Sequence, residues 1–138
     1  MVETRKIEIQ TKKHLDIIDI TDKISDELSK SNIKNGIVNI FIPGSTGAIT
    51  TIEYEEGLKK DLEIFLEKLL PYHAHYFHHN TWGDDNGCGH LLSALLKTSL
   101  TVPFVNKKLI LGTWQQIIFF EFDTRPRYRE IILQIIGD

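Results

Sequence analysis

Residues 36–53 read GIVNIFIPGSTGAITTIE, two apolar segments of strand length with a short turn between them. Residues 36–42 are rich in β-branched side chains, and residues 48–53 resume the same character after the turn at residues 43–47. A βαβ unit would place a helix between two such strands, whereas here a turn joins them directly. This arrangement favours an α+β fold with a mixed or antiparallel sheet.

The remainder of the chain adds further strands and about three helices. The other expected strands are residues 6–10, 14–19, 109–111, 116–123 and 130–136. The first helix follows Asp19 or Thr21 as its cap and carries an apolar stripe four residues apart. The second spans residues 56–70 and the third residues 91–100. The apolar face expected on the second helix consists of Leu58, Leu62, Phe65, Leu66, Leu69 and Leu70.

Length and composition limit the classes of protein to which this chain can belong. A chain of 138 residues corresponds to one domain, which we place at residues 1–138. The net charge of −3 argues against a general nucleic-acid binder, and a single cysteine, Cys88, excludes a Cys-rich zinc site. Without an apolar run of membrane-spanning length or a signal peptide, we expect a soluble, cytoplasmic protein with no membrane partner.

Five of the six histidines lie within residues 73–90. His78 and His90 flank a glycine-rich loop, residues 83–89, that can fold back and bring the two imidazoles together. Neutral imidazole is a good ligand for zinc, so the cluster predicts a metal or catalytic site. His73, His75 and His79 are its ambiguous members. The alternative is a surface loop with solvated histidines, and no zinc motif of fixed spacing is present.

Charged residues occur at positions that are unusual for a solvated face. Glu121 lies within an apolar run and Glu53 ends a strand; a buried carboxylate requires a partner, although Glu121 could equally point to solvent. Arg127 and Arg129 share one face of an extended segment, which suits phosphate, although an edge strand protected by charges is the alternative. Asp61 falls outside the apolar face of the second helix, which by itself indicates only a surface position.

Two further segments are less specific. The turn at residues 43–47 offers amides and hydroxyls to an anion but lacks the phosphate-loop pattern. Trp114 suits either stacking on a heterocycle or a place in the core.

Taken in order, these segments resemble the YjbQ family, also described as the secondary thiamine-phosphate synthase family. The residues that carry the resemblance are residues 45–53, Asp61, Pro71, Tyr76, His78, Asn86, His90, Leu91, residues 99–103, residues 111–115, Glu121, Arg127, Arg129 and Gly137. The resemblance runs over nearly the whole chain. One departure is Gly44, which stands where many members carry histidine.

The resemblance implies a small α+β subunit in a homotrimer, with a divalent metal, zinc first, at His78 and His90. It also implies weak thiamine-phosphate synthesis, in which a pyrimidine diphosphate is joined to a thiazole phosphate. The family's polar positions correspond here to Glu53, Asp61, Asn86, Trp114, Gln115 and Glu121 as catalytic candidates, with Arg127 and Arg129 binding phosphate. The alternatives are a trimeric metal- or ligand-binding module and a metal-dependent hydrolase with Glu53 as general base.

Overall fold

The computed structural model describes residues 1–138 and contains eight strands and four helices. The strands are β1 (Val2–Gln10), β2 (Asp16–Asp19), β3 (Gly36–Phe41), β4 (Gly47–Glu53), β5 (Ser99–Val105), β6 (Lys108–Leu109), β7 (Gln115–Glu121) and β8 (Tyr128–Gly137); the helices are α1 (Thr21–Lys30), α2 (Glu56–Leu69), α3 (His79–Trp82) and α4 (Gly87–Leu96). All strand pairs are antiparallel. The expected α+β class is confirmed, with four helices and two sheets.

The two sheets pack as layers, and β7 is the central strand of the smaller one. One sheet has the order β1-β8-β3-β5-β6, and the other has the order β2-β7-β4. Ile117 and Phe119 on β7 belong to a core shared with the five-stranded sheet and α1, while Ile118 and Phe120 belong to a second core with α2 and α4. Both faces of β7 are therefore buried, which explains its continuous apolar run.

The expected buried face of α2 is wrong in part. Only Leu66 is fully buried, and Phe65 and Leu69 are 58% and 47% exposed. The second core is a small cluster that reaches α2 through Leu66, with Leu62 and Leu70 at its margin. No layer covers the remaining apolar side chains of the helix, although their spacing is that of a buried face.

The boundaries after the glycine-rich loop also differ from those expected. Helix α4 begins at Gly87 and ends at Leu96, four residues before the helix predicted over residues 91–100. The following segment, β5, was not expected as a strand, since Pro103 within it weakens the strand signal. Tertiary pairing to β3 forms the strand nonetheless, with Val102 and Phe104 buried.

The edge-strand explanation for Arg127 and Arg129 is also wrong. Strand β8 pairs with β1 on one side and β3 on the other, so it lies inside the five-stranded sheet. Arg129 on this strand is accordingly buried, at 4% exposure. None of the four helices combines the length and apolarity that crossing a membrane requires.

Candidate functional site

The pairing of β4 with β7 divides the expected site residues into two groups. Gly47 lies opposite Glu121 at one end of this pair, and Glu53 lies opposite Gln115 at the other. Seven strand residues span about 20 Å. Glu53, Gln115 and the 72%-exposed Trp114 are therefore remote from Glu121 within one chain.

The first group contains the other polar candidates. His78, Asn86, His90, Arg127 and Arg129 lie with Glu121 in one connected polar region, described below. Asp61 is exposed on α2 and makes no ion pair. A single chain does not place Glu53 beside the two histidines, as a hydrolase with Glu53 as its base requires.

A fully buried ion pair joins the two sheets. Glu121 ends β7, and the Arg129 guanidinium on β8 donates through Nε to Glu121 Oε1 at 3.0 Å and through Nη2 to Oε2. Thr11 Oγ1 donates to Glu121 Oε1 at 2.7 Å, and Arg129 Nη2 donates to Thr46 Oγ1 at 3.0 Å. A buried carboxylate is tolerable only with such partners. The alternative in which Glu121 points to solvent is therefore wrong.

Asp123 extends this network toward the surface. Its carboxylate accepts from Thr46 Oγ1 at 3.1 Å and pairs with Arg127. Burial acts to raise the pKa of Asp123, but hydrogen bonds from the Thr124 amide and Thr46, with the charge of Arg127, outweigh it and hold the pKa below its ordinary value. Asp123 is consequently ionised in the folded protein at neutral pH.

This lowered pKa makes the fold sensitive to acid. A carboxyl with a lower pKa folded than unfolded stabilises the protein above the unfolded pKa, and that contribution is lost as pH falls through the folded one. We expect the free energy of unfolding, measured with urea, to decrease from about pH 5 to pH 2. Asp123→Asn should flatten the decrease, and Asp61→Asn should leave it unchanged. An equal slope in Asp123→Asn and the unmodified protein would contradict this origin.

Asn86 connects Asp123 to His78. Asn86 Nδ2 donates to Asp123 Oδ1 at 3.5 Å, and Asn86 Oδ1 lies 3.1 Å from His78 Nε2. Because a carboxylate only accepts, the amide nitrogen faces Asp123 and the amide oxygen faces the imidazole. His78 therefore carries a proton on Nε2, and Nδ1 is the nitrogen left to take up or release a proton.

His78 and His90 line the same cleft. Their ring centroids are 4.5 Å apart at an angle of 63°, so the glycine-rich loop does bring the two imidazoles together. The cleft has a volume of about 450 Å³. It is lined by His75, Tyr76, Phe77, His78, Gly87, His90 and Leu91. This mixed aromatic and imidazole lining suits a small heterocycle.

Close packing of two glycines holds α4 in place under the cleft. A Cβ on Gly89 would lie 2.3 Å from the Phe122 carbonyl oxygen, and one on Gly87 would lie 2.7 Å from Tyr76 Cβ. The Gly87 amide donates to His79 Nε2 at 3.2 Å. His79 therefore orients the start of α4, which in turn places His90 beside His78.

The remaining histidines are spread around the region. His73 packs edge-on against Tyr72, and His75 lines the cleft. His14, outside the cluster, stacks on Tyr72 and contacts the Phe122 carbonyl oxygen through Nδ1 at 2.9 Å.

Within one chain, His78 and His90 lack the further ligands that a zinc site requires. Nowhere in the chain do three or more His, Cys, Asp or Glu side chains converge so as to hold a metal ion. Asp84 Oδ1 is 3.8 Å from His78 Nε2, but that nitrogen faces Asn86. Two imidazoles from one chain fall short of the usual ligand count. Metal at His78 and His90 stays a prediction.

Cys88 does not serve as a nucleophile. Its side chain is buried and donates to the Leu70 carbonyl at 3.1 Å. Burial raises the pKa of this thiol, which keeps it protonated at neutral pH.

The sequence analysis missed Thr11 and Asp123, and it included Thr46 only as part of the turn at residues 43–47. That turn was expected to offer its hydroxyls to an anion, whereas the Thr46 hydroxyl bridges Arg129 and Asp123. Asp123 carried a usable signal, since it lies two residues beyond Glu121 at the end of a buried strand. Thr11 carried none, because its contact with Glu121 joins positions 110 residues apart.

Comparisons with known proteins agree with this architecture. A family model described as "UPF0047 protein YjbQ-like" matches residues 5–138. A UPF0047 protein of Methanothermobacter thermautotrophicus is 41% identical over 99% of this chain and 93% of its own. One of Archaeoglobus fulgidus is 39% identical over 95% of this chain and 99% of its own.

Solved structures show the same fold. A YbjQ-like protein of unknown function from Sulfolobus solfataricus superposes with a TM-score of 0.92 at 34% identity, covering 100% of this chain and 99% of its own. A hypothetical protein from Aeropyrum pernix gives 0.90 at 32% identity, covering 99% of both chains. The chain therefore belongs to the YjbQ (UPF0047) family, whose function is unknown.

Proposed function

We propose that this protein is an enzyme acting on a phosphorylated small molecule in the cleft beside His78 and His90. The observation that carries the proposal is the hydrogen-bonded series Asp123–Asn86–His78, which ends at the cleft. A carboxylate and an amide that fix one imidazole nitrogen leave the other as a general acid or base. A surface histidine needs no such buried support.

Thiamine-phosphate synthesis is the reaction to test first, because the family resemblance implies it. The thiazole nitrogen attacks the methylene carbon of the aminopyrimidine diphosphate, a C–N bond forms, and the C–O bond breaks. Diphosphate leaves with the electron pair. In our proposal His78 first takes up a proton from solvent at Nδ1, and the resulting imidazolium donates that proton to the departing oxygen and returns to the neutral Nε2–H form. The aromatic lining holds the pyrimidine.

The arginines supply positive charge in this proposal. Arg127 is partly exposed and paired with Asp123, so its guanidinium orients phosphate at the surface of the network. Arg129 is buried beneath it and is already neutralised by Glu121. No step of the proposal requires metal, and a divalent cation at the two histidines is tested independently.

The test is turnover by the purified, untagged protein with the pyrimidine diphosphate and thiazole phosphate. Metal content is measured on the same sample, and the assay is repeated after chelation. Turnover that survives chelation supports the proposal. Near-stoichiometric metal with no turnover of any phosphorylated heterocycle would favour a binding module instead. Turnover that appears only with metal would establish the metal-dependent alternative. We further propose that the protein carries out this reaction in the cytoplasm.

The homotrimer implied by the resemblance has a candidate surface. Ile37, Phe41 and Ile136 are partly exposed on the outward face of the five-stranded sheet, where Ile37 pairs with Ile136. Apolar residues grouped on an exposed sheet face are typical of an interface. We propose that copies of this chain cover them.

The prediction is that Ile37→Lys converts the trimer to monomers, because lysine cannot be desolvated there without a partner. Sedimentation equilibrium measures the mass. Lys108→Met, on the short strand β6, should leave the trimer intact. A monomeric unmodified protein at micromolar concentration would overturn the proposal.

A further inference from the structure

A second depression shares one lining residue, His90, with the cleft. It has a volume of about 240 Å³. Its lining consists of Gly44, Ser45, His90, Ser93, Ala94, Lys97 and Thr98. No carboxylate borders it, whereas hydroxyls, an imidazole and an ammonium group do. Such a lining favours an anion over a cation.

Two cationic side chains have unused donors here: Lys97, which lines the depression, and Arg129, which lies next to the lining residue Gly44. Lys97 makes no ion pair and no side-chain hydrogen bond, unlike the Arg127 and Arg129 guanidiniums, which face carboxylates. Arg129 is more than nine-tenths buried, yet its Nη1 makes no hydrogen bond. This nitrogen lies 3.2 Å from the position that a Cβ on Gly44 would occupy. Because no fully buried polar side-chain atom lacks a partner, Nη1 keeps some access to solvent, and it is a donor free to bind a ligand next to Gly44.

The backbone at Lys97 is strained. Its φ of 77° and ψ of 153° fall in a region that residues other than glycine rarely adopt. Two hydrogen bonds hold it there: Lys97 N donates to Ser93 O at 2.9 Å, and Ile49 N donates to Lys97 O at 3.1 Å. Glycine would fit without strain, so the lysine side chain occupies this position at a cost to the fold. Strain of this kind concentrates at binding sites.

We propose that this depression, walled by Gly44, Ser45 and Lys97, binds a phosphoryl group. This inference rests on the proposed function and says where the phosphate of its substrate lies. The adjacent end of α4 disfavours an anion through its carbonyls, but the Ser93 carbonyl is already capped by Lys97 N. The Lys97 ammonium supplies positive charge that offsets the remaining carbonyls, and Arg129 Nη1, whose charge Glu121 already balances, supplies a hydrogen-bond donor. His90 then lies between phosphate and heterocycle, since it lines both pockets.

The probe is inorganic pyrophosphate, titrated calorimetrically into the purified protein, with phosphate and sulfate as parallel arms. We expect Lys97→Met to weaken pyrophosphate binding about tenfold or more, since one charge-assisted hydrogen bond is lost. The Tm of Lys97→Met should stay unchanged because the backbone remains strained. Lys97→Arg should retain binding, and Lys108→Met, an exposed lysine elsewhere, should match the unmodified protein.

Two further variants test the shape of the depression and the backbone strain at Lys97 separately from the lysine charge. Gly44→Ala should weaken pyrophosphate binding, since the added methyl group covers Arg129 Nη1. Lys97→Gly should weaken binding and also raise the Tm by about 3–6 °C, because the strain is relieved. If Lys97 served only the stability of the fold, its replacement would not weaken pyrophosphate binding while raising the Tm.

The outcomes distinguish this inference from the proposed function. Lys97-dependent pyrophosphate binding without any turnover would support the phosphoryl site and count against the enzyme. Turnover that requires His78, with pyrophosphate affinity equal in Lys97→Met and the unmodified protein, would overturn the phosphoryl site alone. Equal affinity for sulfate and pyrophosphate would also overturn it, since the site would then be a general anion site.

Discussion

Replacing Arg129 with methionine should lower the free energy of unfolding by about 3–5 kcal/mol. Glu121 is fully buried between the two sheets, and in this variant its carboxylate loses both guanidinium hydrogen bonds. The Thr11 hydroxyl and the Asp123 amide remain as donors, but two neutral donors do not compensate for a buried charge without its counter-charge. Urea denaturation followed by circular dichroism measures the difference.

The control is the double variant Arg129→Met with Glu121→Leu. Removing both charges leaves an apolar contact at the edge of the main core, so most of the lost stability should return. Arg5→Met, which breaks partly exposed pairs with Glu3 and Glu27, should cost about 1 kcal/mol or less. A loss below about 1 kcal/mol in Arg129→Met alone would mean that the ion pair does not hold the sheets together.

His78→Ala should reduce turnover by about 10²–10⁴-fold if the proposed reaction is the one catalysed. The variant removes the nitrogen that exchanges the proton, while the cleft and the phosphoryl site stay intact. We therefore expect the loss in kcat, with KM within a few-fold of its original value. His73→Ala, which removes an exposed imidazole outside the hydrogen-bonded series, should retain full turnover.

Asn86→Leu tests the positioning role separately. It keeps His78 but removes the oxygen that holds its Nε2 proton, so kcat should fall while the imidazole is still present. A structural role alone would change the Tm without altering the imidazole tautomer. Retention of full turnover in His78→Ala would contradict the role assigned to this histidine.

Local pattern was sufficient for most of the strands, though not for β5, and for the fold class. Alternation in β1 and the apolar run of β7 reflect burial on one and two faces, which is a local property of the chain. It was insufficient where tertiary contacts outweigh propensity. Gly87 and Gly89 are poor helix formers, yet α4 starts with them because only glycine fits against Tyr76 and Phe122.

The sequence identified the residues of the site better than it identified how they are arranged in space. The loop between His78 and His90 indicated their proximity, which the structure shows. Neither the pairing of Glu121 with Arg129 across two sheets nor the strain at Lys97 has a local signature. Trp114 and Gln115 lie at the far end of β7 for a similar reason: strand register, invisible in one sequence, sets which end a residue occupies.

The most direct measurement of the central claim is the tautomer of His78, read from nitrogen-15 chemical shifts of the imidazole at alkaline pH, where imidazoles are neutral. Assignment follows from the spectrum of His78→Ala. The account predicts the proton on Nε2, and a loss of that preference in Asn86→Leu. A proton on Nδ1 in the unmodified protein, or a tautomer indifferent to Asn86, would contradict it.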